Sequence, residues 1–193
     1  MTIALITLLF SSLAFGKNCT YNFDSASAKI QVTGFKFTEK SGVNGHFKDS
    51  MVKAPNTAKK LEGILKNATF WIDETTLEFG KPARNKNILK GLFKNIEGRT
   101  IHGHVKSVNS KKNTLLAILH WGGKAHQVNF KYTYTNGVFE AKSNIDIIKL
   151  GFQKAFDGLH KLCKVHHKGK DGKVKTWSDV DLKVTANILE ICS

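Results

Sequence analysis

Apolar and polar residues alternate with a period of two over most of the chain, which predicts β-strands with one inward face. The alternation is clearest over residues 128–134 and over the last such run, 180–188. Residues 115–121 are apolar on both faces. Asn136-Gly137 separates two alternating runs, and this dipeptide is a strong signal for a tight β-hairpin.

One change of parity stands out near the start of this pattern. Ile30 and Val32 share one face of a predicted strand, whereas Phe35 and Phe37 share a face of the opposite parity. The change falls at Gly34, where a bulge or bend is expected. With such a bulge, both phenylalanines would face the interior. A further alternating run is predicted over Ile64, Ala68, Phe70 and Ile72.

Two segments depart from the alternation and have helical spacing, residues 85–93 and 148–163. No repeat or Pro/Ser-rich linker divides the 193 residues, so one domain is expected. Many strands with little helix predict an antiparallel barrel or a sandwich, and the pattern alone does not separate the two.

The N-terminal residues 1–16 (MTIALITLLFSSLAFG) have the pattern of a secretory signal peptide, with an apolar run followed by small residues. No Lys or Arg precedes the run, and a buried N-terminal strand or helix is the alternative interpretation. Cleavage near Gly16 would release a mature chain from Lys17 to the periplasm or the exterior.

Export would allow the three cysteines to form a disulfide, because exported proteins meet oxidising conditions. Cys19 opens the mature chain and Cys192 nearly closes it. If the first and last strands pair antiparallel, a Cys19–Cys192 bridge becomes possible and Cys163 is left over. Three free thiols are the alternative.

The formal charge of +15 comes from 30 Lys and Arg against 15 Asp and Glu. Only Arg84 and Arg99 are arginines, and the lysines are dispersed, with their densest group at 161–175. Nucleic-acid readers concentrate their charge and use Arg for paired contacts, so no nucleic-acid partner is expected. A solvated surface is the simplest interpretation, with peripheral attraction to an anionic membrane as the second.

The chain offers little catalytic or metal-binding chemistry. It has no HExxH, CxxC, GxSxG or phosphate-loop motif. His102 and His104 would share the face of a strand, but a zinc site needs three or four converging ligands. We therefore predict no catalytic residue, no metal and no cofactor.

Five short motifs follow one another in a distinctive order. They are 21–24 (YNFD) with 27–30 (SAKI); Lys40, Val43, Gly45 and Phe47 within 38–47; 72–73 (ID) with 75–77 (TTL); Arg84-Asn85 with 88–89 (IL) and 92–93 (LF); and 177–180 (WSDV). In this order they resemble the YceI-like family of exported bacterial lipid-binding proteins. Three features depart from that family. They are Asn85 in place of an acidic residue, a turn motif split between 100–103 and 122–124, and an insertion over 160–176.

The resemblance implies an all-β fold, an eight-stranded antiparallel lipocalin-like β-barrel with one or two short helices. Residues 17–193 would form this single YceI-like domain around an apolar tunnel. Members of the family bind long-chain amphiphiles, often as dimers, so a lipid ligand and a homodimer are expected here.

The candidate site follows from inward parity and from the family motifs. Residues expected to line the tunnel are Phe35, Phe37, Val43, Phe47, Phe70, Ile72, Leu89, Phe93, Phe130 and Tyr132. Arg84, Asn85, Tyr132 and Tyr134 are the candidates to bind the polar head of the ligand, and Arg84 is the best of them. The alternatives are a solid core filled by the same apolar residues and a structural ion pair for Arg84.

The function predicted from these features is an exported protein that holds a polyisoprenoid, fatty acid or fatty amide for transport, storage or sequestration. Two other classes remain. One is a basic surface module that binds polyanions of the envelope, and the other is a periplasmic enzyme acting on a lipid.

Overall fold

The computed structural model describes residues 18–192, and the predicted signal peptide at 1–16 lies outside them. The described chain forms one curled antiparallel sheet with three short α-helices. Within this range no helix is both long and apolar enough to cross a membrane.

Strands occupy most of the chain, as the period-two pattern predicts. They are β1 Cys19–Lys36, β2 Ser41–Phe47, β3 Ser50–Lys53, β4 Thr57–Ala58, β5 Thr69–Asp73, β6 Leu77–Glu78, β7 Thr100–Asn109, β8 Thr114–Trp121, β9 Lys124–Thr135, β10 Val138–Asp146 and β11 Thr176–Cys192. The helices are α1 Leu61–Lys66, α2 Pro82–Gly91 and α3 Gln153–Cys163, with short 3₁₀ turns at Glu74–Thr76, Phe93–Asn95 and Lys164–His167.

The strands follow the order β3-β5-β7-β8-β9-β10-β11-β1-β2-β6, and their pairings are antiparallel. β2 and β3 are separated only by residues 48–49, where the chain bends. β2 pairs with β1, and β3 pairs with β5, so this kinked segment joins the two ends of the sheet. Counted as one strand, it gives a circuit of eight main strands, and the predicted barrel class is confirmed.

The helices differ in number and position from the sequence pattern. Ile64 was expected in a strand but lies in α1, because Leu61 and Leu65 are one helical turn apart and pack with it. The strand after it begins at Thr69. The two predicted helices are α2, which begins with Pro82 at its first position, and α3. The described residues therefore hold three α-helices rather than one or two.

The core consists of two apolar clusters inside the sheet. One contains Phe93, Trp121 and Ile147 and is packed by side chains of α2 and α3. The other is centred on Ile64 and Ile188 at the opposite end of the strands. Phe70 and Phe130 pack against both clusters, so the interior is continuous from end to end.

The first and last strands complete the sheet by pairing with each other. β1 pairs with β11 from Cys19 opposite Cys192 to Lys36 opposite Thr176. The register shifts twice, between Asp24 and Lys29 and between Gly34 and Lys36, and the second shift lies where a bend was expected. At the far end of this pair, Cys19 and Cys192 form a disulfide that joins the two ends of the described chain.

Replacing both cysteines by serine should weaken the folded state. The bridge closes a loop with a sequence separation of 173 residues. Loss of that constraint on the unfolded chain should lower the free energy of unfolding by about 3–5 kcal/mol, measured by urea denaturation. A reductant should destabilise the wild type similarly and leave the double variant unaffected. Equal unfolding free energies for the wild type and the double variant, both measured without reductant, would contradict this account.

Candidate functional site

A cavity of about 250 Å³ lies within the curled sheet. All the main strands contribute inward-facing side chains to it, among them Val32 of β1, Ala117 of β8 and Val184 of β11. The lining consists of Phe, Trp, Ile, Leu, Val and Ala side chains together with Gly34, and it contains no charged residue. Such a surface is suited to hydrocarbon and offers almost no partner to a polar group.

The helices α2 and α3 contribute Ile88 and Leu159 to the same lining. Two glycines allow these helices to cross closely. A Cβ on Gly91 would lie 2.7 Å from the Cα of Leu159, and a Cβ on Gly158 would lie 2.5 Å from the carbonyl oxygen of Gly91. Because these contacts are with backbone atoms, any larger residue would force the two helices apart.

Five of the predicted lining residues lie on the cavity wall. They are Phe47 of β2, Phe70 and Ile72 of β5, Phe93 of the second 3₁₀ turn and Phe130 of β9. These residues come from distant parts of the chain, and the curling of the sheet brings them together. Phe93 packs edge-on against Phe47, with 6.2 Å between ring centroids.

Phe35 and Phe37 do not line the cavity. The inward parity of Val32 continues to Gly34, which lies on the cavity wall, so Phe35 is placed on the opposite face. Phe37 has a left-handed backbone with φ of 63°, and the Lys36 ammonium lies 4.3 Å from its ring centroid. The bend therefore falls beyond Gly34 and does not turn these phenylalanines inward.

Three other predicted lining residues also lie away from the cavity wall. Val43 is partly buried and packs against the first core cluster without reaching the cavity wall. Tyr132 is buried in the second cluster, with its ring centroid 5.6 Å from that of Phe139. Leu89 packs against the first cluster and also borders a shallow groove with Pro82 and Lys86 of α2.

Arg84 and Asn85 have structural partners rather than positions on the cavity wall. Arg84 Nη1 donates to the Phe79 carbonyl oxygen at 2.6 Å, and Asn85 Oδ1 accepts from the Phe79 N–H at 2.8 Å. Asn85 Nδ2 donates to Glu78 Oε1. These bonds fix Phe79, whose ring lines the cavity and lies directly beneath Gly45. The two residues therefore position part of the apolar wall.

The carboxyl of Glu74 was not recognised from the sequence as a buried group. Its residue is 3% exposed, and Trp121 beside it is 5% exposed. Oε2 of Glu74 and Nε1 of Trp121 each lack a hydrogen-bond partner within the described residues. The signal was present in the alternation of β5, because Phe70, Ile72 and Glu74 share one parity.

Burial raises the pKa of Glu74 to about 7 from an ordinary value of 4.5. The nearby Trp121 N–H and Arg99 act in the opposite direction, and Asp73 adds to the increase. The indole is thus close enough to act on the carboxyl, although the geometry between them falls short of a hydrogen bond. A carboxyl that is largely neutral in weakly acidic conditions therefore lies beside the first cluster.

Cys163 is a free and buried thiol at the end of α3, and burial raises its pKa. Two histidines lie near this end of the helix. His160 Nδ1 and His167 Nδ1 both contact Thr176 Oγ1, at 2.9 and 2.7 Å. Burial lowers the pKa of His167 to about 4, helped by Lys36 and neighbouring cations. A thiol with a raised pKa is a poor nucleophile.

The histidines singled out from the sequence lie on the outer face of the sheet. His102 and His104 of β7 are exposed, and the His102 ring stacks on that of His120 with 5.1 Å between centroids. Over residues 18–192, the three potential metal ligands that converge within 4.8 Å are Cys19, Glu190 and Cys192. Both sulfurs of that group belong to the disulfide.

Comparison with known proteins gives a match in structure but not in sequence. No family model and no curated protein matches the chain. The crystal structure of BcnA from Burkholderia cenocepacia is similar to 87% of this chain and 99% of its own, with a TM-score of 0.57 and 13% identity. A polyisoprenoid binding domain from Saccharophagus degradans matches over 87% of this chain and 97% of its own, with a TM-score of 0.55 and 13% identity.

A mutant YceI protein of Campylobacter jejuni is also similar, over 79% of this chain and 86% of its own, with a TM-score of 0.50 and 13% identity. The chain therefore has the YceI-like fold that its motifs suggested. At these identities the comparison concerns the fold alone.

Replacement of Glu74 by glutamine should change how stability depends on pH. The raised pKa means that the folded wild type loses stability as the pH rises from about 4.5 to about 7, the interval between the two pKa values. The loss should reach about 3 kcal/mol, since each pKa unit corresponds to about 1.4 kcal/mol. Glutamine has no charge to bury, so the variant should lack this loss in urea denaturation across the interval.

The exposed Glu97 provides the matched control. Glu97→Gln should retain the pH dependence of the wild type. A Glu74→Gln protein that also retained it would show that the buried carboxyl does not titrate in this interval.

Proposed function

We propose that the protein is exported and holds one long-chain amphiphile in the apolar interior of its barrel, for transport, storage or sequestration. The observation that carries this proposal is the cavity of about 250 Å³ without a charged lining residue. Its occupant would be bound without turnover.

The energetics of an empty cavity favour an occupant. Unfilled apolar space costs about 24 cal/mol per Å³, so about 250 Å³ corresponds to about 6 kcal/mol. That is comparable with the whole stability of an ordinary domain, about 5–15 kcal/mol. Water gains little there, because an apolar wall gives it no hydrogen bonds. A hydrocarbon chain would recover the lost contacts.

The length of buried hydrocarbon sets the affinity that the cavity can provide. Each buried methylene contributes about 0.8 kcal/mol, so about ten would reach the 8 kcal/mol of a micromolar complex before ordering costs. The cavity lies just below the usual range of ligand pockets, about 300–1,000 Å³. A single slender chain fits this volume better than a lipid with several chains.

In this proposal the polar head of the ligand lies outside the cavity. Arg84 and Asn85, the predicted head-binding residues, are engaged by the backbone of Phe79 and by Glu78. With no charged group on the wall, a buried phosphate or carboxylate would remain unpaired. The interior would therefore select for a chain of suitable length and width rather than for a head group.

The chemical class of the chain is supported by fold similarity. The similar structure from Saccharophagus degradans is of a polyisoprenoid binding domain. We extend this to an isoprenoid or fatty chain here. Export is supported by the signal-like pattern of residues 1–16 and by the disulfide, which persists in oxidising compartments.

Replacing Gly34 by leucine should fill the cavity from its own wall. A Cβ at this position would meet no atom within 4 Å, and Gly34 lies on the lining. The added side chain should stabilise the lipid-free protein by about 1.5–3 kcal/mol and lower its affinity for a fluorescent long-chain fatty acid by about tenfold or more. Thermal denaturation and fluorescence titration measure the two effects.

The exposed Val138 provides a control for added apolar volume. Val138→Leu should leave both the binding of the fatty acid and the stability close to those of the wild type. Unchanged affinity in a folded Gly34→Leu protein would show that the chain does not enter the cavity.

A further inference from the structure

One end of the barrel carries a surface that the apolar cavity does not explain. It is formed by Lys36, Lys40, residues 164–175 and Trp177, and is called here the basic end surface. Seven lysines belong to it, namely Lys36, Lys40, Lys164, Lys168, Lys170, Lys173 and Lys175. The acidic groups nearby are Glu39, Asp171 and Asp179, so positive charge predominates.

Each of these acidic groups has a partner, and Glu39 Oε1 accepts a hydrogen bond from Ser41 Oγ at 3.2 Å. Lys40 Nζ forms an ion pair of 2.9 Å with Asp179, and Asp171 Oδ2 accepts a hydrogen bond from Thr38 at 2.6 Å. Lys164, Lys168, Lys170, Lys173 and Lys175 are all exposed. Seven lysines against three carboxylates therefore leave this surface with a net positive charge that faces solvent.

Aromatic rings lie directly beneath some of the lysines. The Lys40 ammonium is 5.0 Å from the Phe35 ring centroid and 4.9 Å from that of Trp177. Lys175 lies 4.8 Å from the Trp177 centroid. Lysine stems over half-buried aromatic rings give an apolar body with a charged tip, which suits the boundary between lipid heads and hydrocarbon.

Two apolar side chains on this surface face water. Val165 is 77% exposed and Val174 is 42% exposed. They lie among lysines on a segment whose backbone is held by hydrogen bonds. Lys168 and Val174 form a β-bridge, and Lys175 N donates to the His167 carbonyl oxygen at 3.1 Å.

The segment is also anchored to the barrel. Phe37 N donates to the Lys175 carbonyl oxygen at 3.0 Å, and Trp177 Nε1 donates to the Phe37 carbonyl oxygen at 2.7 Å. The charges and the two valines are thus held before any partner arrives, which reduces the entropy lost on binding.

The surface lies beside the end of the cavity. Gly34 on the cavity wall is two residues from Lys36, and Val180 on the wall is three residues from Trp177. Leu159 of α3, also on the wall, precedes the basic segment in the same helical region. A partner docked on the basic end surface would therefore be close to this end of the apolar interior.

We propose that the basic end surface docks the protein onto an anionic lipid bilayer, with Val165 and Val174 entering the head-group region and the lysines contacting phosphate groups. This goes beyond the binding of a lipid in the cavity and could hold for an empty barrel. A bilayer fits better than a soluble polyanion, because a polyanion uses the lysines but gives no reason for two exposed valines among them.

The test is co-sedimentation with vesicles of phosphatidylglycerol and phosphatidylcholine, and with vesicles of phosphatidylcholine alone. The wild type should bind the anionic vesicles, lose affinity as salt is raised, and bind the neutral vesicles weakly. A variant with glutamine in place of four lysines should bind more weakly, by about fivefold per residue and on the order of several hundredfold together. The four lysines are Lys164, Lys168, Lys170 and Lys173. Arg at the same four positions should preserve it.

A matched set of lysines lies at the other end of the strands. The set consists of the exposed Lys106, Lys111, Lys112 and Lys131. Replacing these four by glutamine changes the net charge equally and should reduce binding far less. An equal loss in this set would overturn the proposal, since net charge alone would then suffice.

The valines separate the bilayer from a soluble polyanion. Val165→Ser with Val174→Ser should weaken vesicle binding at least tenfold and leave binding to heparin unchanged. Unchanged vesicle binding would overturn the proposal in favour of a polyanion site. The fatty-acid titration of the same variants should match that of the wild type, so failure of the docking surface and failure of the cavity are distinguishable.

Discussion

The pairing of β1 with β11 is the interaction on which the rest of the structure depends. It joins the two ends of the described chain and brings the first and last strands into one sheet. Ile30, Val32 and Gly34 from β1 then face the same interior as Val180, Leu182 and Val184 from β11. Without that pairing the sheet would have two long open edges and no enclosed apolar volume. The disulfide clasps the pair at its terminal residues.

How far the sequence predicts the structure depends on the physical signal involved. Period two identifies inward positions well within a regular strand, and it places Phe70, Ile72 and Phe130 on the cavity wall. It fails at irregular backbone. The chain turns only after Gly34, and parity counted across that point assigns Phe35 and Phe37 to the wrong face. A one-residue difference in the position of a bend reverses every later assignment.

Polar residues show a different limit of sequence reasoning. Arg84 and Asn85 belong to one of the five motifs behind the resemblance. Their hydrogen bonds, however, are to a backbone and a neighbouring glutamate that no spacing rule could specify. Glu74 continues the inward parity of β5 and was open to prediction. A glutamate at such a position is usually taken as the end of a strand, because charged groups are seldom buried.

The molecule separates its two kinds of surface. The interior is apolar, with Glu74 and Trp121 as the poorly partnered polar groups identified beside it. The lysines lie outside, and one group of them shares the end of the barrel with α3 and the starting residues of β11. A chain with +15 net charge thus has an inner surface suited to hydrocarbon and an outer surface suited to anions.

The central claim is that the barrel interior binds a lipid chain. Native mass spectrometry of the gently purified protein, followed by organic extraction, tests it most directly. The account predicts a complex heavier than the polypeptide by one defined mass, and recovery of a long-chain amphiphile of that mass from the extract. A single species with the mass of the polypeptide alone, and an extract without lipid, would contradict it.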